Sequence, residues 1–465
     1  MTFQNQSLSV LPVTVAFFLT SFCLGELGDG LSIFQGIYLV GLGWHESSVG
    51  VALGFMSFTC LIIQPWAGDW LDRTTIDRRL ILVAVSLVTA VTACSVLLVP
   101  PGNKDHLLVF ISKMIDGISA AFFEPCLAAL TLACFGPNHF DSIMASNLLF
   151  AHLGAVVVAI VAGFVAYFVY PHVKYCFLVL CFAALASFFF IQFLPEGDHE
   201  LGRGFAGKVA LDTDNHLENT MNPEEWQEVK KARSSDGTNE AARYRDVLSD
   251  KRTVLLSLSG FFFHFANANV LLVLGELMGG DTSSGAPKRT SIPMIASAVV
   301  IAQSVMVGAT YAADVLTQRG VGRKPLFMVG LLSLPIRCAL ILWLKDAGPF
   351  FLLATEILDG IGFGLICIIH PFLVADITFG SGRFNLVMGF TAATFGLGAT
   401  LSNLLGQWSA QVMGYEASLL ASLVISFFPL LIFSFMPETL GGRTPLNDFI
   451  HPPEKEIEAP YRSFT

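Results

Sequence analysis

Residues 68–79 read GDWLDRTTIDRR, a charged stretch lying between two long apolar runs. VALGFMSFTCLIIQPWAG leads into it and LILVAVSLVTAVTACSVLLV follows it, neither carrying a charge. Crossing a bilayer takes about 20 apolar residues, so both runs have the length of membrane helices. The stretch between them is then a tight turn at a membrane surface. Arg73, Arg78 and Arg79 place that surface on the cytoplasmic side, because cytoplasmic loops collect cations. Gly68 lets two backbones approach closely where the helix leaves the lipid, and Asp72 is a fixed anion beside the arginines.

The rest of the chain agrees with a membrane protein. Of 465 residues, 54% are hydrophobic and 13% charged, with a mean hydropathy of +0.66; a soluble protein carries about 25% charged residues. Spans 1 to 6 are expected near 10–40, 50–70, 79–99, 107–133, 143–169 and 175–194. Spans 7 to 12 are expected near 253–279, 292–317, 325–344, 350–378, 384–411 and 416–436. The expected fold is all-α, with 12 transmembrane helices in two pseudo-symmetric six-helix halves. The divisions are an N-terminal half 1–195, a cytoplasmic linker 196–252, a C-terminal half 253–437 and a cytoplasmic tail 438–465. With both termini inside, cations concentrate on the cytoplasmic side, including Arg319, Arg323, Lys324 and Arg383. NPEEWQEVKKAR, within the linker, has the pattern of a short amphipathic surface helix or of a solvated loop.

Three pairs of segments match at nearly one offset. MIDGISA (114–120) matches ILDGIGF (357–363), FLPEG (193–197) matches FMPET (435–439), and 68–79 matches ADVLTQRGVGRK (313–324). The last match puts Arg323-Lys324, after Gly322, on Arg78-Arg79, and Thr317 where Asp72 would be. Such order and spacing indicate a duplicated six-helix unit. A glycine ending span 2, then Asp-Arg, then a basic pair, resembles the signature loop G-x-x-x-D-R-x-G-R-[RK] of the major facilitator superfamily. Gly68, Asp72, Arg73, Arg78 and Arg79 fit it, while Thr74 to Asp77 replace the short spacer and its glycine. The resemblance implies a substrate cavity between the halves near the bilayer midplane, lined by spans 1, 4, 7 and 10, with access alternating by rocking. It also implies that Asp72 packs near the N-terminus of span 11 to close the inner gate, where Arg383 is expected to add a charge partner.

Ionisable side chains in lipid are costly and normally face protein or water. They concentrate on the four spans named for the cavity: Glu26 and Asp29 on span 1, Lys113, Asp116 and Glu124 on span 4, His264 and Glu276 beside the polar Asn267 and Asn269 on span 7, and Glu356, Asp359 and His370 on span 10. Asp29, Asp116 and Glu124 are candidates for proton binding. Lys113 with Asp116, and Arg337 with Glu356 or Asp359, can equally be static ion pairs. Glu26, Asn267, Asn269, Arg337 and His370 complete the candidate cavity set.

No phosphate-binding glycine loop, metal-ligand cluster or nucleophile with a placed base is apparent, which points away from an enzyme, a cofactor and direct use of ATP. The net charge of -10 is concentrated in linker and tail, and no basic patch suggests nucleic acid. The nine cysteines fall in or beside apolar runs and read as small apolar fillers. An acid on span 1 is common in the superfamily's drug:proton antiporters, but their Gly-Pro signature on span 5 is missing. Pro437, Glu438, Thr439 and Gly441 fit the P-E-T-x-G of its sugar transporters, whose span-4 arginine motif is missing. The expectation is a monomeric secondary active transporter moving a small organic solute by alternating access, with proton-coupled export of amphipathic compounds as first reading. A nutrient importer (sugar or organic anion) is the alternative, and a non-transporting receptor on the same fold is a third. Its partners are a small-molecule substrate, protons and the lipid bilayer, and its place is a plasma membrane or bacterial inner membrane.

Overall fold

The computed structural model describes residues 11–25, 39, 44, 46–99, 106–169, 175, 177–205, 241–279 and 292–441. Every expected span has a helical counterpart there. Spans 1 to 3 are Val13–Leu24, Glu46–Arg73 and Arg78–Ser95; spans 4 and 5 share His106–Val169; span 6 is Phe177–Ile191. Span 7 is Lys251–Gly279, span 8 Ile292–Gln318 and span 9 Arg323–Leu344. Span 10 is Glu356–Thr378, led in by Pro349–Ala354; span 11 is Phe384–Met413; span 12 is Tyr415–Ile425 continued by Phe427–Ser434. Eight of the described helices are long and apolar enough to cross a membrane, and two more apolar ones are shorter.

Spans 4 and 5 turn over at Gly136, whose φ of 69° and ψ of 175° lie outside the helical region. Glycine carries a positive φ without steric cost. Pro137 follows and suits the first position of a helix, where its missing N–H would have no partner. Span 5 accordingly starts about a turn and a half before the expected residue 143.

The halves meet through two pairs of spans, 2 against 11 and 5 against 8. Moving each member of one pair six spans along the chain gives the other pair, as a duplicated unit requires. Glycines set these distances. A Cβ on Gly68 would run into the carbonyl of Asn385, and one on Gly389 into that of Gln64, so spans 2 and 11 approach backbone to backbone. The aligned glycines Gly117 and Gly360 repeat one contact in each half: Gly117 faces Met56 and Thr59 of span 2, and Gly360 faces Ala302 and Val305 of span 8. Small residues replace the hydrophobic effect as the basis of helix packing in lipid, where close van der Waals fit is what remains. One apolar core fills the N-terminal half around Phe17, Leu82 and Phe177. A second fills the C-terminal half around Phe327, Ile369 and Phe433, and takes in Phe140 and Met144 of span 5. Large side chains such as Trp66, Phe182, Trp343 and Phe350 are exposed on the outside of this bundle, where lipid covers them.

Gly117→Leu and Gly360→Leu are each expected to lower the melting temperature in detergent, since overpacking costs about 1–3 kcal/mol. Gly54→Leu and Gly308→Leu, where an added Cβ meets nothing within 4 Å, are the matched controls and should melt at or above the wild-type temperature. Equal losses at all four positions would contradict this packing.

Candidate functional site: the inner gate and the charges between the halves

The first four N–H groups of a helix have no partner within it, and at span 11 Asp72 supplies one. Its carboxylate, fully buried at the end of span 2, accepts bonds from the backbone N–H groups of Asn385 (3.2 Å) and Leu386 (2.8 Å) and from Asn385 Nδ2 (2.8 Å). The carboxylate also lies at the positive end of the helix dipole. Asp72 thus packs at the N-terminus of span 11, the position the resemblance implied for it. Arg383 lies near enough for its charge to act on Asp72, as expected. Its direct ion pair, at 3.3 Å, is with Asp69, because Asp72 is already saturated by amide donors and sealed under span 11.

Asp69 is the centre of a second layer. It pairs with Arg73 one turn on (3.0 Å), with Arg383, and accepts a bond from the Tyr244 hydroxyl (2.6 Å). The Tyr244 ring lies under both guanidinium groups, 4.4 Å from Arg383 and 5.5 Å from Arg73. Cations over an aromatic face are attracted by its quadrupole. Tyr244 belongs to the end of the linker, where Arg383 also donates to the carbonyl of Ala242 (2.9 Å). The start of the linker docks as well. Asn385 Nδ2 donates to the Gly202 carbonyl (3.0 Å) and the Gly380 N–H to the Gly204 carbonyl (2.7 Å). Gly202 rests on the guanidinium of the buried Arg78, and Arg79 donates to the Leu194 carbonyl (2.7 Å). Arg79 also binds Asp77; partial burial pushes that carboxyl up, but hydrogen bonds from Arg79 outweigh it and hold Asp77 below the usual carboxylate range.

The equivalent crossing, between span 5 and spans 8 to 10, is built differently. Arg323 forms ion pairs with Asp141 of span 5 and with Asp376 at the end of span 10 (3.4 Å), and Thr439 donates to Asp376 (2.8 Å). Glu438 accepts from the N–H groups of Arg323 (2.8 Å) and Lys324 (3.1 Å), capping span 9 next to Gly322. Phe140 packs edge-on against Phe372 and Phe384 beside it.

Deeper in, Glu124 of span 4 meets His370 of span 10 across the halves. Glu124 Oε1 is 3.6 Å from His370 Nδ1, and the glutamate side chain is 47% exposed, so it borders space between the halves. His370 Nε2 is 2.7 Å from the Thr391 hydroxyl. The Phe395 ring stands between His370 and His264, 4.9 Å and 5.4 Å away.

The remaining candidates form closed clusters within each half. Lys113 and Asp116 pair at 2.9 Å with both side chains fully buried, and Thr92 of span 3 donates to Asp116 (3.2 Å). Arg337 of span 9 pairs with Asp359 and, at 2.8 Å, with Glu356, and donates to Asn267 Oδ1 (3.0 Å). Asn267 in turn donates to Asp359 (3.1 Å). Asn269 is turned away from this group and ties span 7 to spans 11 and 12 through Ser402 and Ser418. Glu26 and Asp29 lie outside the described residues, as does NPEEWQEVKKAR. Asp69, Asp141, Asp376, Asn385 and Tyr244 were not singled out by sequence reasoning. Asp69 and Tyr244 had a usable signal, an acid one turn before Arg73 and an aromatic residue among linker cations.

Two bundles related by a six-span repeat, meeting where span 2 faces span 11 and span 5 faces span 8, define a twelve-helix membrane protein of the duplicated type. The chain belongs to the major facilitator superfamily: residues 10–314 match the model of the Major Facilitator Superfamily. Two Mycobacterium tuberculosis sequences described as uncharacterized MFS-type transporters are 30% identical over 428 residues, covering 91% of this chain and 93% of theirs. Multidrug resistance protein 1 of Bacillus subtilis is 33% identical over 123 residues, 25% of this chain and 29% of that protein. Among solved structures, the proton:xylose symporter XylE bound to 6-bromo-6-deoxy-D-glucose superposes with a TM-score of 0.66 at 16% identity, over 92% of this chain and 96% of that one. It is an integral, multi-pass membrane protein, and its family points to a transporter and away from an enzyme.

A reporter cysteine at Met388, buried at this gate, should react faster with a maleimide in Asp72→Asn by about two- to fivefold, the size of a helix-terminus interaction of ~0.3–1 kcal/mol. Tyr244→Ala should act in the same direction and Tyr244→Phe more weakly, since it keeps the ring. Unchanged labelling in all three would remove these residues from the gate. At Glu438, partial burial pushes the carboxyl up, but bonds from the backbone N–H groups of Leu440, Arg323, Lys324 and Thr439 prevail and hold it below the usual glutamate range. A depressed carboxyl stabilises the fold above its unfolded-state value, about 4.3, and that contribution is lost as pH falls through its lower folded-state value. Thermal melts should therefore drop less steeply on acidification in Glu438→Gln than in wild type.

Proposed function

We propose that this protein is a secondary transporter that couples the export of small amphipathic organic solutes to proton entry. The observation that carries this reading is the Glu124–His370 contact, an acid and a base from opposite halves meeting beside open space. An ionisable group within a membrane span is expected to serve transport, since such groups are costly in lipid and normally face the bundle interior or a water-filled cavity. Because the two residues sit on different halves, a proton or a cationic solute at Glu124 changes the free energy of closing one half on the other. Phe395, Phe363 and His264 supply an apolar and aromatic wall alongside, suited to a greasy cation. The 123-residue match to a protein described as Multidrug resistance protein 1 favours this reading over a nutrient importer. In this reading Asp359, 13% exposed, belongs to the wall of the same cavity, and Asp116 supports it from within span 4.

The test is flux in proteoliposomes with an imposed pH gradient, using a fluorescent lipophilic cation. Proton entry should drive the cation the opposite way, and Glu124→Gln should cut gradient-driven flux by roughly 5–150-fold, the usual range of a coupling free energy. Movement of solute along with protons would replace export by import, and absence of flux for lipophilic cations, sugars and organic anions alike would favour a receptor.

A further inference from the structure

The two halves place ionic clusters at equivalent positions, and the clusters differ by one charge. At the offset that aligns Asp116 with Asp359, Lys113 falls on Glu356; at the offset that aligns Arg78-Arg79 with Arg323-Lys324, Thr92 falls on Arg337. In the N-terminal half these positions carry Lys113, Asp116 and Thr92, joined at 2.9 Å and 3.2 Å, and the charges cancel. In the C-terminal half they carry Glu356, Asp359 and Arg337, so two carboxylates share one guanidinium.

The surroundings do not compensate the surplus. Span 7 contributes Asn267, which is neutral, and span 8 presents Ala302 and Val305 to this part of span 10. On span 9, Lys345 is held by Glu416 of span 12. Among the described residues, the charged groups acting on Glu356 are Arg337 and Asp359. Removing an uncompensated charge from water costs several kcal/mol, and such a group commonly neutralises instead.

The two carboxyl groups are not alike. Asp359 Oδ1 receives Arg337 and, at 3.1 Å, Asn267 Nδ2, and its side chain is partly exposed. Glu356 is 1% exposed; Oε1 accepts from Arg337 while Oε2 is buried with no hydrogen-bond partner among the described residues. An unpartnered anionic oxygen in the interior is far more costly than an unpartnered neutral hydroxyl. We propose that this cluster is a binding site for one proton, carried by Glu356 on Oε2 while the inner gate is closed, with Asp359 as the ionised partner of Arg337. The site is intramembrane, belongs to the C-terminal half alone, and has no counterpart in the N-terminal half, where Lys113 stands in place of the glutamate.

Its meaning for transport rests on the proton-coupled reading above, but its occupancy is measured without flux. Infrared spectra of the purified, ligand-free protein at neutral pH should contain a protonated-carboxyl stretch that moves in heavy water. The band should be lost in Glu356→Gln. It should be lost also in Asp359→Asn, because with one acid removed the remaining glutamate balances Arg337 as an anion. Both variants are checked for wild-type elution and helical circular dichroism. Absence of the band from wild type, a measurement that needs no variant, would overturn the proposal. So would its persistence in either folded variant, or its disappearance on addition of sodium, which would mean that a metal ion takes the site. Absence of transport with the band present would overturn the coupling reading and leave the proton site standing.

Discussion

A carboxylate buried end-on against a helix can exist only if every lone pair in reach finds a donor. Asp72 meets that demand with two backbone N–H groups and one side-chain amide of span 11. The rest of the gate follows from this one group. Gly68 must lack a side chain so that spans 2 and 11 come near enough for the contact. Asn385 must face both Asp72 and the Gly202 carbonyl, which pulls the start of the linker beneath the helix. Parting spans 2 and 11 would expose the carboxylate and the orphan N–H groups of span 11 to water together. Water can replace these bonds, so the gate is held by a small difference between large terms, which suits a reversible switch.

The repeat gives the molecule two such crossings, and they have diverged. Where the first uses a carboxylate on a helix terminus, the second has Thr317 at the matching position and relies on Arg323 between Asp141 and Asp376. A helix-terminus contact is directional and fixes the register of span 11. An arginine between two acids ties span 9 to spans 5 and 10 at once through charge-assisted bonds. The linker adds a further asymmetry, since each of its ends lies on the half opposite to its own span or bridges both. Its start, continuous with span 6, docks on span 11; its end, continuous with span 7, places Tyr244 on Asp69 of span 2.

Much of this is legible in the sequence because membrane helices announce themselves by composition. All the spans, the six-helix repeat and the place of Asp72 come from apolar runs, matched segments and the signature loop. What stays hidden is the pairing of long polar side chains. Proximity in the fold points Arg383 to Asp72, yet a side chain of that length reaches Asp69 as easily, and saturation of Asp72 by amides decides the matter. Tyr244 sits in a polar stretch without periodicity; an aromatic residue among linker cations is its one local signal, and that signal does not show that the ring ends up between two arginines. For the charges inside the membrane, i, i+3 spacing finds the pairs within a helix, Lys113 with Asp116, and cannot show that Thr92 or Asn267 completes them from neighbouring spans.

The polar contacts divide by what a rocking of the halves would do to them. Asp72 to span 11, Asp69 to Arg383, Asp141 to Arg323 and Glu124 to His370 all cross from one half to the other and would be broken if the halves moved apart. The Lys113–Asp116–Thr92 and Arg337–Glu356–Asp359–Asn267 clusters lie within a half and can travel as rigid parts. The crossing contacts include partly exposed groups, where hydration lowers the cost of separation. The internal clusters are almost entirely buried, where losing a single partner would be far more expensive. Position, more than burial, separates two kinds of charge, since Asp72 is sealed as fully as Lys113 and Asp116. Those that cross between the halves would lose their partners if the halves parted, and those within a half hold its helices in register.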